Sequence, residues 1–239
     1  MPPATAADLV ETIKPLTPLT DRWLKSATLS LFENGVIEAG PAGRAALKRN
    51  HCDAAAIAVG LLAAPSAMQA GSYADGILRS GRQRGSIIDP RGIVHEHELG
   101  QLLKVALSRP HFREALSVLI QEWRILESGL EFYSKLPNRC GLDGQWRAEL
   151  TVTLSGAPFF GAAIELDVRK VVQVSEGELE PHETFLALEA DWLGMATANL
   201  SDGASAELHE RFAHQATHEF DHRVIIALGR RLGERGVDY

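Results

Sequence analysis

Residues 218–222 read His-Glu-Phe-Asp-His, which is literally the HExxH pattern. On a helix, two histidines four residues apart bind zinc, and the glutamate between them acts as general base on the bound water. His214 extends the spacing, so a helix over residues 204–232 would carry His214, His218 and His222 on one face. Two features oppose a metallopeptidase. Asp221 puts a charge where such helices carry uncharged residues, and no histidine follows His222. Three ligands stacked along one helix would spread over about 12 Å at a rise of about 1.5 Å per residue, too far to converge on one ion. The reading is therefore a solvated polar helix face with no catalytic residue, metal or cofactor. A zinc-dependent hydrolase, with His218 and His222 as ligands and Glu219 as base, is the alternative.

Other reactive residues are sparser. His95-Glu96-His97-Glu98 lies at a helix start, where alternating polar residues are normally solvated. Cys52 falls on the apolar face of a predicted helix and reads as a buried structural thiol. With Cys140 as its only companion and no CxxC pair, no disulfide framework is expected, and a reducing compartment follows. P-loop, dinucleotide-binding and nucleophile-elbow motifs are all missing from the sequence.

The N-terminal region predicts a run of short helices. One fits residues 6–14 and is closed by Pro15. After a turn of about four residues, Thr20 caps a second helix with Asp21 at its positive end. Trp23, Leu24, Ala27, Leu31 and Phe32 form its apolar face, and Asn34-Gly35 stops it. A Gly/Pro-rich loop with Arg44 on its exit follows. Asn50 then caps a third helix, with Asp53 as capping-box partner. A shorter helix is read over residues 66–78, and residues 80–91, rich in Gly and Arg, read as a linker.

Net charge is −7, but residues 1–91 carry 10 Lys/Arg against 8 Asp/Glu, whereas residues 92–239 carry 14 against 23. An acidic second part cannot supply a phosphate-binding surface; the first part can. A helix after a tight turn can lie in a major groove and present its first turns to bases and phosphates. Those positions hold Thr20, Arg22, Lys25 and Ser26, with Thr28 beyond. A hairpin following it would bring Arg44, Lys48 and Arg49 to the neighbouring backbone. The stretch LTDRWLKSATLSLFENGVIEAGPAGRAALKRN resembles the segment of MerR-like winged helix-turn-helix regulators in which a recognition helix ends in Gly and two apolar residues and a Gly/Arg-containing wing follows. Gly35-Val36-Ile37 matches the first part and Pro41-Ala42-Gly43-Arg44 the second. The resemblance spans residues 5–78 and implies a winged helix-turn-helix that binds double-stranded DNA. The paired aromatics usual early in that family's recognition helix are missing, Trp23 standing alone.

Beyond residue 85 two helices are read at 96–107 and 111–130, split by Arg109-Pro110. Phe112, Leu116, Leu119, Ile120 and Trp123, with Leu126, form a long apolar stripe, taken as a homodimer surface. WRAELTVTLS (146–155) alternates, and residues 161–174 form a second β-like run, giving an antiparallel hairpin or small sheet. Residues 183–193 and 204–232 are read as helix. No apolar run is long enough to span a bilayer, and the N-terminus lacks a secretory pattern. The expected fold is α+β and mainly helical: a winged helix-turn-helix over 1–85 and an α+β dimerisation or sensing domain over 86–239. The expected function is a cytoplasmic DNA-binding regulator, with a zinc hydrolase or a non-enzymatic protein-binding adaptor as alternatives.

Overall fold

In a computed structural model of the chain, which describes residues 4–40, 47–88, 97–156, 160–171, 184–193 and 217–233, helices pack on a five-stranded antiparallel sheet. Helix α1 (Ala6–Ile13) starts in a capping box: the Thr5 hydroxyl accepts from Asp8 N–H, and the Asp8 carboxylate accepts from Thr5 N–H at 2.8 Å. A 3₁₀ turn (Lys14–Leu16) carrying Pro15 ends it. Helix α2 (Asp21–Glu33) is capped by Thr20, whose hydroxyl accepts from Trp23 N–H. It closes at Gly35, whose φ of +66° is left-handed and suits glycine.

Helix α3 (His51–Ala63) begins in the expected Asn50–Asp53 capping box. It is apolar all round and buried from Ala54 to Leu61, as a central helix must be. Helices α2, α6 (Phe112–Gln121) and α1 pack around it. Gly60 lets α2 approach, since a Cβ there would lie 2.6 Å from Leu31 Cδ2. Helix α4 (Ala70–Leu78) packs on α2, where the buried Ser30 hydroxyl donates to Met68 C=O and accepts from Gly71 N–H.

The sheet runs β1 (Gly81–Ile88), β4 (Thr184–Leu193), β3 (Gly161–Lys170), β2 (Trp146–Ser155), β5 (Thr217–Asp221), and every neighbouring pair is antiparallel. The alternation read in β2 is realised: Ala148, Leu150, Val152 and Leu154 are buried while Arg147 faces out. Helices α5 (Glu98–Leu107), α6, α7 (Trp123–Arg139) and α8 (His222–Gly233) complete the helical layer.

Several expectations are corrected. Residues 81–88 of the anticipated linker form an edge strand, held by backbone pairing with β4 rather than by an apolar pattern. Residues 184–193 are strand, not helix, because Leu186, Leu188, Ala190 and Trp192 bury one face at period two. The helix read over 111–130 is broken at Glu122, whose φ of −96° and ψ of 31° leave the helical region. The break seats α8: a Cβ on Gly229 would collide with Ile120 C=O and the Trp123 side chain.

The boundary expected at 85/86 falls inside β1. One apolar core runs from Ala4 to Leu228, α3 packs on α6 and β5, and Arg231 of α8 pairs with Asp8 of α1 at 2.7 Å. The stripe assigned to dimerisation is likewise used within the chain. Phe112, Leu116, Leu119 and Ile120 are fully buried against α3, α5 and α8, and Trp123 is half-buried beside Gly229 and Gly233. No helix among the described residues is long and apolar enough to cross a membrane.

Candidate nucleic-acid interface

Helix α2 turns Leu24, Ala27, Ser30 and Leu31 inward and leaves the opposite face open. Thr20, Arg22, Lys25 and Ser26 all lie on that exposed side. The Thr28 hydroxyl is turned back, donating to Leu24 C=O at 2.7 Å. At the first turn Asp21 is engaged by Lys14 at 2.7 Å, and Lys14 also lies 3.8 Å from Glu11. The Asp21 hydrogen bond and charge hold the Lys14 ammonium above its ordinary value, and Lys14 holds the Asp21 carboxyl below its own.

Lys48 is exposed, but Arg49 is not a surface cation. Its side chain is 5% exposed; one terminal nitrogen donates to Glu38 C=O at 2.7 Å, another lies 3.9 Å from Asp53, and the guanidinium carbon sits 5.6 Å from the Phe32 ring centroid. Arg49 braces the segment between α2 and α3, so its expected phosphate contact is corrected. Arg44 lies outside the described residues, as does most of the anticipated wing; no strand is present in the described residues between α2 and α3.

Helix α1 packs mainly on α3 and α8. Between α1 and α2 a groove of about 780 Å³ opens, with Val10, Leu24, Leu29 and Phe32 on its walls and Lys25 and Arg49 among its polar groups. Leu29 is 56% exposed there.

The HExxH residues do not share a helix. His218 and Glu219 belong to β5, and His222 opens α8. Pairing with β2 explains the strand, since Phe220 sits opposite Val152 in the core register and is buried while Glu219 is exposed. His214 lies outside the described residues. His218 lines a cleft with Trp23, Thr151 and Arg223, whereas His222 lines another with Glu127, Arg147 and Arg230. No group of three side chains among the described residues is placed to hold a metal ion. The expected single-helix HExxH arrangement is therefore corrected: His218 and Glu219 stand on a strand and His222 on the helix that follows. Burial pushes the His222 imidazole below its usual range, partly offset by Asp221 and Glu149.

His95 and Glu96 lie outside the described residues. His97 caps α5, its Nδ1 accepting from Leu99 N–H at 3.0 Å. Cys52 is half-buried, with its sulfur 3.5 Å from the Ser117 hydroxyl; Cys140 is exposed and free.

Compared with known proteins, the chain matches no family model, no curated protein and no solved structure.

The sequence reading missed one surface. On the sheet face away from the buried alternate residues, strand register aligns Asp221, Thr151, Glu165 and Glu189 in one row, Glu219, Thr153, Ala163 and Asp191 in the next, and Glu149 with Asp167 beyond. Burial, then Glu189, Asp191, Glu219 and Asp167, push the Glu165 carboxyl above its ordinary value. Arg147 and Arg169 flank Glu149 at one end, at 2.6 and 3.0 Å. The i, i+2 acids of β3 and β4 were the available signal, but they converge only once the register is known.

Proposed function

We propose that the chain is a non-catalytic, cytoplasmic DNA-binding regulator whose N-terminal helices act as a helix-turn-helix module of the winged type. The observation that carries this reading is the exposed, donor-bearing face of α2, where Thr20, Arg22, Lys25 and Ser26 stand clear of the core. Exposed Lys48 adds a further cation. The Gly35-Val36-Ile37 step supports it as well: Gly35 ends α2 in the left-handed conformation, and Val36 and Ile37 return to the core at 6% and 1% exposure.

The acidic sheet face would repel a phosphate backbone, so DNA would approach on the α2 side. The pairing that such modules use requires a surface other than α6. The reading is tested by titrating the full chain into fluorescent duplex carrying its own upstream region. Binding that weakens steeply with salt supports it, and absence of binding at low salt rejects it.

A second reading, contact with a cationic protein surface, is favoured by the carboxylate rows on β3, β4 and β5. Reversing Glu165 and Glu189 to lysine would abolish such contact while leaving DNA affinity unreduced.

A further inference from the structure

We propose that the open edge of β5 takes up an extended peptide as an added strand, with alternate apolar side chains in the adjoining cleft and alternate basic side chains on the acidic sheet face. Among the described residues β5 pairs with β2 alone and ends the sheet. In an antiparallel pair, alternate residues turn N–H and C=O away from the neighbour, so an edge strand presents a row of unpaired donors and acceptors. Thr217–Asp221 carries neither a proline nor a bulge, and its register with β2 is unbroken, so the ladder can be extended. An extended backbone satisfies such a row as no small molecule does.

The two faces of β5 specify the peptide. Phe220, opposite Val152, and His218, opposite Leu154, lie on the core side, whereas Glu219 and Asp221 lie on the side of the acid rows. On the core side the edge adjoins a cleft of about 590 Å³ walled by Leu16, Leu19, Trp23, Leu61 and Pro65. On the other side Arg223 is tied to Asp221 at 2.6 Å, which leaves Glu219 uncompensated. Glu165 of β3 and Glu189 of β4 likewise form no ion pair among the described residues. Side chains alternate across a strand, so a residue beside Glu219 meets carboxylates and the next meets the cleft. A strand of alternating basic and apolar residues matches both. An acidic strand would be repelled by Glu219, and an all-polar one would leave the cleft walls wet. A second copy of the chain fits less well. The two-fold register that pairs all 5 residues of β5 sets the two Glu219 carboxylates opposite each other, and like charges so placed are destabilising.

Strand addition deepens the second reading above and rests on it for the charge of the partner. Calorimetric titration of the full chain, with amide hydrogen exchange, would use the end-blocked peptide Val-Lys-Val-Lys-Val-Lys-Val as probe. Its glutamate counterpart and the scrambled Val-Val-Val-Val-Lys-Lys-Lys serve as controls. The alternating lysine peptide is expected to bind one per chain, at least about tenfold more tightly than either control. It should also slow exchange of the β5 amides that point away from β2. Glu219→Lys, at an exposed position, should weaken binding at least about fivefold, and Leu16→Ser, on the cleft wall, should weaken it without lowering the unfolding midpoint. Equal binding of the scrambled peptide would overturn strand addition and leave the contact of cations with the carboxylate rows standing. Equal binding of the glutamate peptide would remove both. Failure of the alternating peptide to bind would overturn the proposal, as would slow exchange of those amides in the free chain, because the edge is then already covered. A doubled mass of the free chain, halved in Leu16→Ser, would identify a second copy as the occupant and overturn it too.

Discussion

Asp8 of α1 accepts a hydrogen bond from Arg231 of α8 at 2.7 Å while also closing the capping box with Thr5. One carboxylate thus fixes the start of the first helix and ties it to the last. Thr5 N–H is the largest influence holding the Asp8 carboxyl below its ordinary 3.8, and Arg231 adds to it. Because the folded value is depressed, this stabilisation is present above pH 3.8 and is lost as pH falls through the folded value. Asp8→Ala, which removes cap and pair together, should cost about 1–2 kcal/mol at pH 7, and Arg231→Ala under about 1 kcal/mol. Denaturant unfolding at pH 7 measures both; equal losses would show that the cap contributes nothing.

The α6 stripe belongs to the core. Leu116→Ala should cost about 2–5 kcal/mol, and Leu119→Glu should prevent folding rather than release a folded monomer. Circular dichroism with light scattering separates these outcomes. A folded Leu119→Glu chain of reduced mass would return α6 to an interface.

Gly229→Ala tests the seat of α8 on the α6–α7 break. The added methyl would meet Ile120 C=O, a backbone atom that cannot swing aside. A loss of about 1–3 kcal/mol is expected despite the better helix propensity of alanine. A gain in stability would mean that α8 sits farther from the break.

His222 is pushed below its usual 6.5 by burial, and its Nδ1 is buried without a partner. A folded value below the unfolded one means the contribution is present above pH 6.5 and is lost as pH falls through the folded value. His222→Gln should therefore flatten the decline in thermal midpoint on acidification below pH 6.5. An unchanged slope would place the sensitivity elsewhere, with His51, also lowered chiefly by burial, the next group to replace.

Local chemistry was legible where it acts alone. Thr20, Asn50 and Asp53 announced their helix starts, Gly35 its stop, and Leu150, Val152 and Leu154 their strand. What escaped depends on distant partners. Residues 81–88 pair through backbone with β4, a hundred residues on, and their sequence carries no alternation to report it. The 217–221 stretch has helical spacing of its histidines, but the open edge of β2 captures it, with Phe220 opposite Val152. Arg49 looked like a phosphate contact because sequence shows its charge and not its burial against Phe32 and Glu38. At the candidate site, the face of α2 was readable from its own periodicity, whereas the groove beside it depends on how α1 leans toward α3 and α8.

Anisotropy titrations across a salt series decide whether the exposed face of α2 contacts duplex DNA. The full chain should bind its own upstream duplex at low salt. Replacing both Arg22 and Lys25 with alanine should weaken binding at least about tenfold and lower the slope of log affinity against log salt by about 1 for each phosphate contact removed. The double variant should keep its unfolding midpoint, since both side chains are exposed. A double variant that binds with unchanged affinity and slope, or a parent chain that binds no duplex at low salt, would rule out α2 as a DNA-contacting helix.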